Sequence, residues 1–174
     1  MLSDRTIKRL MDKEELSIAA RDGEPLRDWQ FQPVSVDLRL GGVSLRNGTP
    51  LPLTKFWPGG GEGWMIQPLQ FLLGTTWERV EVCGNIVGTV EGKSTIAREG
   101  LMIEAAGLVD PGFGGEITLE LFNMSDEPIQ LDLMQPICQV CFCWVDTTPE
   151  RTYGKANNHY QGQRGPTPSW RLSL

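Results

Sequence analysis

The 174-residue chain predicts an all-β fold, a barrel or a sandwich. Short strand-like segments recur at close intervals, over 64–66, 70–77, 86–90, 101–104, 116–122, 128–132 and 137–145. Turn-forming clusters separate them, among them Cys83-Gly84-Asn85, Ser125-Asp126-Glu127-Pro128 and Met134-Gln135-Pro136. There is no strand–helix–strand alternation and no internal repeat, which excludes a parallel α/β design. With 40% hydrophobic residues, one domain over 1–174 with a core of its own is expected.

In chain order, Ser3 and Asp4 open an amphipathic helix. Ser3 is a good N-cap, Asp4 suits the positive end of the helix dipole, and Ile7, Leu10 and Met11 fall at helical spacing. A short strand is expected over 16–18. Residues 21–33 read as irregular, with Trp29 and Phe31 as packing anchors. Residues 35–41 alternate: Val36, Leu38 and Leu40 face one way, and Ser35, Asp37 and Arg39 the other, as on a half-solvated strand. Pro50, Pro52, Pro58 and the run Gly59-Gly60-Gly61 mark 47–63 as a long exposed loop.

The chemistry concentrates in 91–123. Gly92-Lys93-Ser94-Thr95 opens one short helical turn through Arg98. Accessible backbone N–H groups, two hydroxyls and the Lys93 charge make a phosphate cradle of it. Asp110-Pro111-Gly112-Phe113-Gly114-Gly115 predicts a tight turn with Gly112, Gly114 and Gly115 at positive φ. In the strand that follows, Glu116, Thr118 and Glu120 share one face, and Ile117, Leu119 and Leu121 the other. The apolar pattern stops at Thr147. The tail beyond, polar and glycine-rich over 153–169, cannot build a core and either stays disordered or closes over something anionic.

A net charge of −6 argues against a nucleic-acid surface, so phosphate binding has to be local. No run approaches the ~20 apolar residues of a membrane span, and no apolar signal core stands at the N-terminus. Cys83, Cys138, Cys141 and Cys143 are clustered rather than spread as a disulfide framework, which fits a reducing cytoplasm. Pro136-Ile137-Cys138-Gln139-Val140-Cys141 is similar to the ligand run of zinc deaminases, but those enzymes also need a His-x-Glu. The single histidine, His159, is followed by Tyr160 and Gln161, and strand alternation sets Cys138 opposite Cys141 and Cys143. The thiols therefore read as core filling, with no zinc.

Residues 91–123, the run Ser35-Val36-Asp37-Leu38-Arg39-Leu40-Gly41 and the tail Tyr160-Gln161-Gly162-Gln163-Arg164-Gly165-Pro166-Thr167-Pro168-Ser169 together resemble the dCTP deaminase family of the trimeric dUTPase-like superfamily. The resemblance implies a distorted dUTPase-like β-barrel and a homotrimer with sites between subunits. It implies metal-free attack of water at C4 of dCTP, giving dUTP and ammonia, with Mg2+ accompanying the triphosphate. Glu120 matches the general base, and a carboxyl in an apolar site gains the raised pKa that proton shuttling needs. Ser94 and Arg98 match residues that position the water and the base. Lys93, Thr95, Tyr153 and Gln163 match triphosphate contacts, and His159 stands where a tail lysine is usual. Phe113 matches an aromatic packed on the deoxyribose, and Ala106 falls in the segment that lines the base pocket. The 150–174 tail closes over the nucleotide.

The run Glu104-Ala105-Ala106-Gly107 departs from the deaminases, which generally carry threonine where Ala105 stands. The stretch from Ser94 to Gly107 is one residue shorter than a deaminase leads one to expect and equals the spacing in trimeric dUTPases. Gly107-Leu108-Val109-Asp110 is likewise similar to the dUTPase motif whose aspartate activates water against the α-phosphate. Family members that run both reactions carry Ala-Gly here. Deamination, alone or followed by dUTP hydrolysis with Asp110 as base, thus stands beside two alternatives: a diphosphohydrolase on the same barrel, and a non-catalytic nucleotide-sensing trimer.

Overall fold

In the computed structural model, which describes residues 1–56, 61–104, 107–155 and 158–172, the chain begins with helix α1 (Asp4–Asp12). Ser3 caps it by accepting the Thr6 N–H at 3.4 Å, and Ile7 and Leu10 are buried. The strands are β1 (Leu16–Ala20), β2 (Phe31–Gln32), β3 (Ser35–Ser44), β4 (Thr54–Lys55), β5 (Glu62–Ile66), β6 (Phe71–Val82), β7 (Ile86–Gly92), β8 (Leu101–Glu104), β9 (Leu108–Val109), β10 (Gly114–Asn123), β11 (Ile129–Asp132) and β12 (Pro136–Trp144). A single helical turn, α2 (Ser94–Ala97), lies between β7 and β8, as the Gly92–Arg98 reading expects. Among the described residues no helix is long and apolar enough to cross a membrane.

The larger sheet runs β8-β10-β6-β3-β12-β7-β9, with β1 beside β6 and β2 beside β3, and β11-β5-β4 form a second sheet. Strands β8 and β9 are neighbours in sequence yet stand at opposite ends of that order. The sheet therefore curls back on itself, and the fold is mainly β, a distorted barrel. Leu38, Leu40, Leu72, Leu119, Leu121, Val140 and Phe142 are fully buried at its centre.

Four local expectations are corrected. First, β6 does not stop at residue 77 but runs on through the charged stretch to Val82, and β1 runs to Ala20. Second, Asp37 and Arg39 are not on a solvated face: they are 3% and 5% exposed. The Arg39 Nε donates to Glu78 Oε1 at 2.6 Å, and the Arg39 N–H donates to Glu78 Oε2 at 2.7 Å. A polar alternation can face other strands as easily as water when its charges are paired there. Third, Trp29 is 43% exposed, whereas its neighbour Gln30 is wholly buried. The Gln30 Nε2 donates to the Asp37 carbonyl (2.9 Å) and to Glu78 Oε1 (3.0 Å), which is why an amide takes the interior position. Fourth, of the three turn glycines only Gly112 has a positive φ, +90°. Gly114 and Gly115 instead begin β10, where the constraint is space: a Cβ on Gly115 would lie 3.0 Å from the Phe113 ring and 3.2 Å from Gln163 Cγ.

The faces of β10 also differ from simple alternation. Its register with β6 shifts between Glu116 and Thr118, and the Ile117 N–H donates to the Thr76 side chain at 2.9 Å rather than to a backbone carbonyl. Glu116 turns to Arg21. On β12, Cys138 is buried, while Cys141 and Cys143 are half-buried on the opposite face. Burial, with Glu78 and Asp37 nearby, pushes the Cys138 thiol far above its ordinary pKa, so it stays a neutral core group.

Candidate active site

A cavity of about 710 Å³ opens beside β10. The strand contributes Ile117, Thr118 and Glu120, the preceding turn contributes Asp110 and Phe113, and the tail contributes Tyr153, Tyr160 and Gln163. Leu73 of β6 and Val90 of β7 add apolar wall. Glu120 is half-buried, neither sealed in the core nor out in solvent. The Phe113 and Tyr153 rings meet edge to face at 5.5 Å and 72°. Burial, opposed by a backbone hydrogen bond at Tyr160 and reinforced by the Asp110 charge, raises the Tyr153 pKa. Its phenol is therefore a hydrogen-bond donor at neutral pH.

The tail is docked, not loose. The Gly162 N–H donates to the Gly114 carbonyl (2.7 Å), and the Glu116 N–H donates to the Gln163 carbonyl (3.1 Å). The Gln163 Nε2 returns a bond to the Glu116 carbonyl at 2.7 Å, and the Thr167 N–H reaches Thr118 Oγ1 at 3.2 Å. Residues 161–167 thus lie along the start of β10 and bring Gln163 and Thr167 to the cavity wall.

The 93–98 turn is elsewhere on the chain. Ser94, Thr95 and Arg98 are exposed, and none of them lines the cavity. Lys93 is half-buried, and its ammonium donates to Asp37 Oδ2 at 2.6 Å, so its charge is already paired with an interior carboxylate. His159 is exposed and outside the cavity lining; it stacks on Trp170 with centroids 4.5 Å apart at 23°. Ala105 and Ala106 lie outside the described residues. Ser169, the last residue of the tail run, lines the cavity too; Arg46 and Arg171 also line it and were not singled out from the sequence, because no local pattern ties the loop after β3 or the end of the chain to β10.

A family profile described as dCTP deaminase-like matches residues 1–144. The chain belongs to the dCTP deaminase-like family. A relative from Aquifex aeolicus (strain VF5), named "dCTP deaminase, dUMP-forming", is 42% identical over 180 residues, spanning 97% of this chain and 93% of its own. One of the same name from Persephonella marina is 39% identical, spanning 97% and 96%. Among solved structures, the 2'-deoxycytidine 5'-triphosphate deaminase from Agrobacterium tumefaciens superposes with a TM-score of 0.62 at 18% identity, over 81% of this chain and 47% of that one. The EIAV dUTPase superposes at 0.54 with 22% identity, over 83% and 98%. The dCTP deaminase-like chain therefore has the barrel that deaminases and dUTPases share.

Proposed function

We propose that this chain deaminates dCTP and then hydrolyses the resulting dUTP, releasing ammonia, pyrophosphate and dUMP. The observation that carries this is that one cavity holds two carboxylates, Glu120 and Asp110, one for each hydrolysis. The relatives named as dUMP-forming support the same reading.

In the first reaction Glu120 takes a proton from the water attacking C4. The protonated carboxyl passes it to the exocyclic nitrogen, the C4–N bond breaks as ammonia leaves, and the hydroxyl added at C4 becomes the carbonyl of uracil as its remaining proton moves to N3. In the second, Asp110 takes a proton from water attacking the α-phosphorus, and pyrophosphate departs. Phe113 packs on the deoxyribose, Tyr153 and Gln163 donate to the phosphates, and Ala106 borders the base. Ser94 and Arg98 position the water and Glu120 from a neighbouring copy, and Thr95 contacts the phosphates from the same turn. This fits a turn that is exposed and apart from its own chain's cavity, and it makes the working unit a homotrimer. The Asp37 bond assigns Lys93 to holding that turn as much as to meeting phosphate, and His159 adds its contact only on leaving Trp170. The described lining carries only those two carboxylates, so Mg2+ enters as part of the substrate, held by its phosphates. The chain acts as one domain whose 150–174 tail closes the site, and its free thiols suit a reducing cytoplasm.

Separate incubations with dCTP and dUTP, with ammonia, pyrophosphate and dUMP all followed, test the reading. Pyrophosphate from dUTP without ammonia from dCTP would leave a diphosphohydrolase. Binding without any product would leave a sensor. Asp110→Asn is expected to slow pyrophosphate release by about 10²-fold or more, the range of a lost general base. Unchanged release would clear Asp110 of that role.

A further inference from the structure

Glu116 shares β10 with Glu120 but does not line the cavity. Its side chain is 6% exposed, and Arg21 grips it with two bonds, Nε to Oε1 at 2.9 Å and Nη2 to Oε2 at 2.7 Å. Arg21 is itself fixed: its guanidinium lies 4.8 Å over the Trp77 ring, and Nη1 donates to the Gly41 carbonyl at 3.3 Å. Such a fork sets the plane of the carboxylate and leaves the outer lone pair of each oxygen in a fixed direction. The tail meets one of these oxygens: the Gly165 N–H donates to Glu116 Oε2 at 2.6 Å. Gly165 sits at φ +69°, a conformation that favours glycine. With the Glu116 N–H donated to the Gln163 carbonyl and the Gln163 Nε2 donated to the Glu116 carbonyl, the tail makes three of its hydrogen bonds to this one residue.

We infer that Glu116, oriented by Arg21, is the anchor that docks the tail over the cavity, and hence a positioning residue for nucleotide binding. The second half of this rests on the function proposed above, because it acts through Gln163. Chemistry at Glu120 is untouched, so loosening the anchor weakens binding and spares turnover.

The test uses the full chain with Arg21→Ala, Glu116→Ala and Glu116→Gln. Limited trypsin digestion read by mass spectrometry follows cleavage after Arg164, which is exposed inside the docked segment. Arg21→Ala and Glu116→Ala are expected to speed that cleavage about tenfold, the factor for one lost charge-assisted hydrogen bond. Glu116→Gln keeps an oxygen for the Gly165 N–H and recovers part of the protection. KM for dCTP rises by a similar factor in both alanine variants, with kcat little changed. Cleavage at the parental rate in Arg21→Ala, whose half-exposed site makes it the safer variant to fold, overturns the anchor. Faster cleavage with unchanged KM keeps the anchor and overturns its part in nucleotide binding. Cleavage needs no turnover, so parental protein that fails to act on dCTP would sink the functional reading while the digestion still decides the anchor.

Discussion

Glu120→Gln should reduce ammonia release from dCTP by about 10²- to 10⁴-fold, the usual worth of a positioned general base. Glutamine matches glutamate in shape but cannot take a proton from water, so the loss falls on the chemical step. Nucleotide affinity should stay within a few-fold of the parent, since the proposal gives the sugar and phosphate contacts to Phe113, Tyr153, Gln163 and the 93–98 turn. Pyrophosphate release from added dUTP should persist, because that reaction is assigned to Asp110. Tandem measurement of ammonia and pyrophosphate separates the two roles in one variant. Deamination above a tenth of the parental rate would remove Glu120 as the base.

The largest stability effect is expected at Glu78, whose side chain is wholly buried. Its carboxylate receives three donors: Arg39 Nε, the Arg39 N–H and Gln30 Nε2. Glu78→Gln turns an amide NH₂ toward some of those donors and strands the Arg39 charge inside the barrel. Breaking a buried pair on one side costs about 3–5 kcal/mol. Denaturant unfolding at fixed protein concentration should show that loss, and the paired change Arg39→Met with Glu78→Leu should recover much of it, because it leaves no lone charge. A loss below about 1 kcal/mol in Glu78→Gln would mean that the pair is far better solvated than its burial indicates.

Much of the fold was readable locally. Alternation and turn residues located most strands, and the Ser3 cap and the Gly92–Arg98 turn lie where their chemistry puts them. What escaped was decided by distant partners. Glu78 and Arg79 look like the end of a strand until Arg39 and Gln30 arrive from elsewhere in the chain to pair Glu78. The Glu116 side chain leaves the Glu120 face because β6 shifts register opposite it, and no pattern within β10 announces a shift in its neighbour. At the site, Glu120, Asp110, Phe113, Tyr153 and Gln163 do converge on one cavity. Lys93 and His159 were harder to read, since residue type says that an ammonium or an imidazole is present but not that Asp37 or Trp170 already engages it.

The Asp37–Lys93 bond has a practical corollary for anyone transplanting the 92–98 turn into another scaffold. A graft of 92–98 alone would arrive with a dangling ammonium, because its counter-charge sits 56 positions upstream on an interior strand. The portable unit is two discontinuous fragments, and libraries that diversify position 93 should diversify position 37 alongside it.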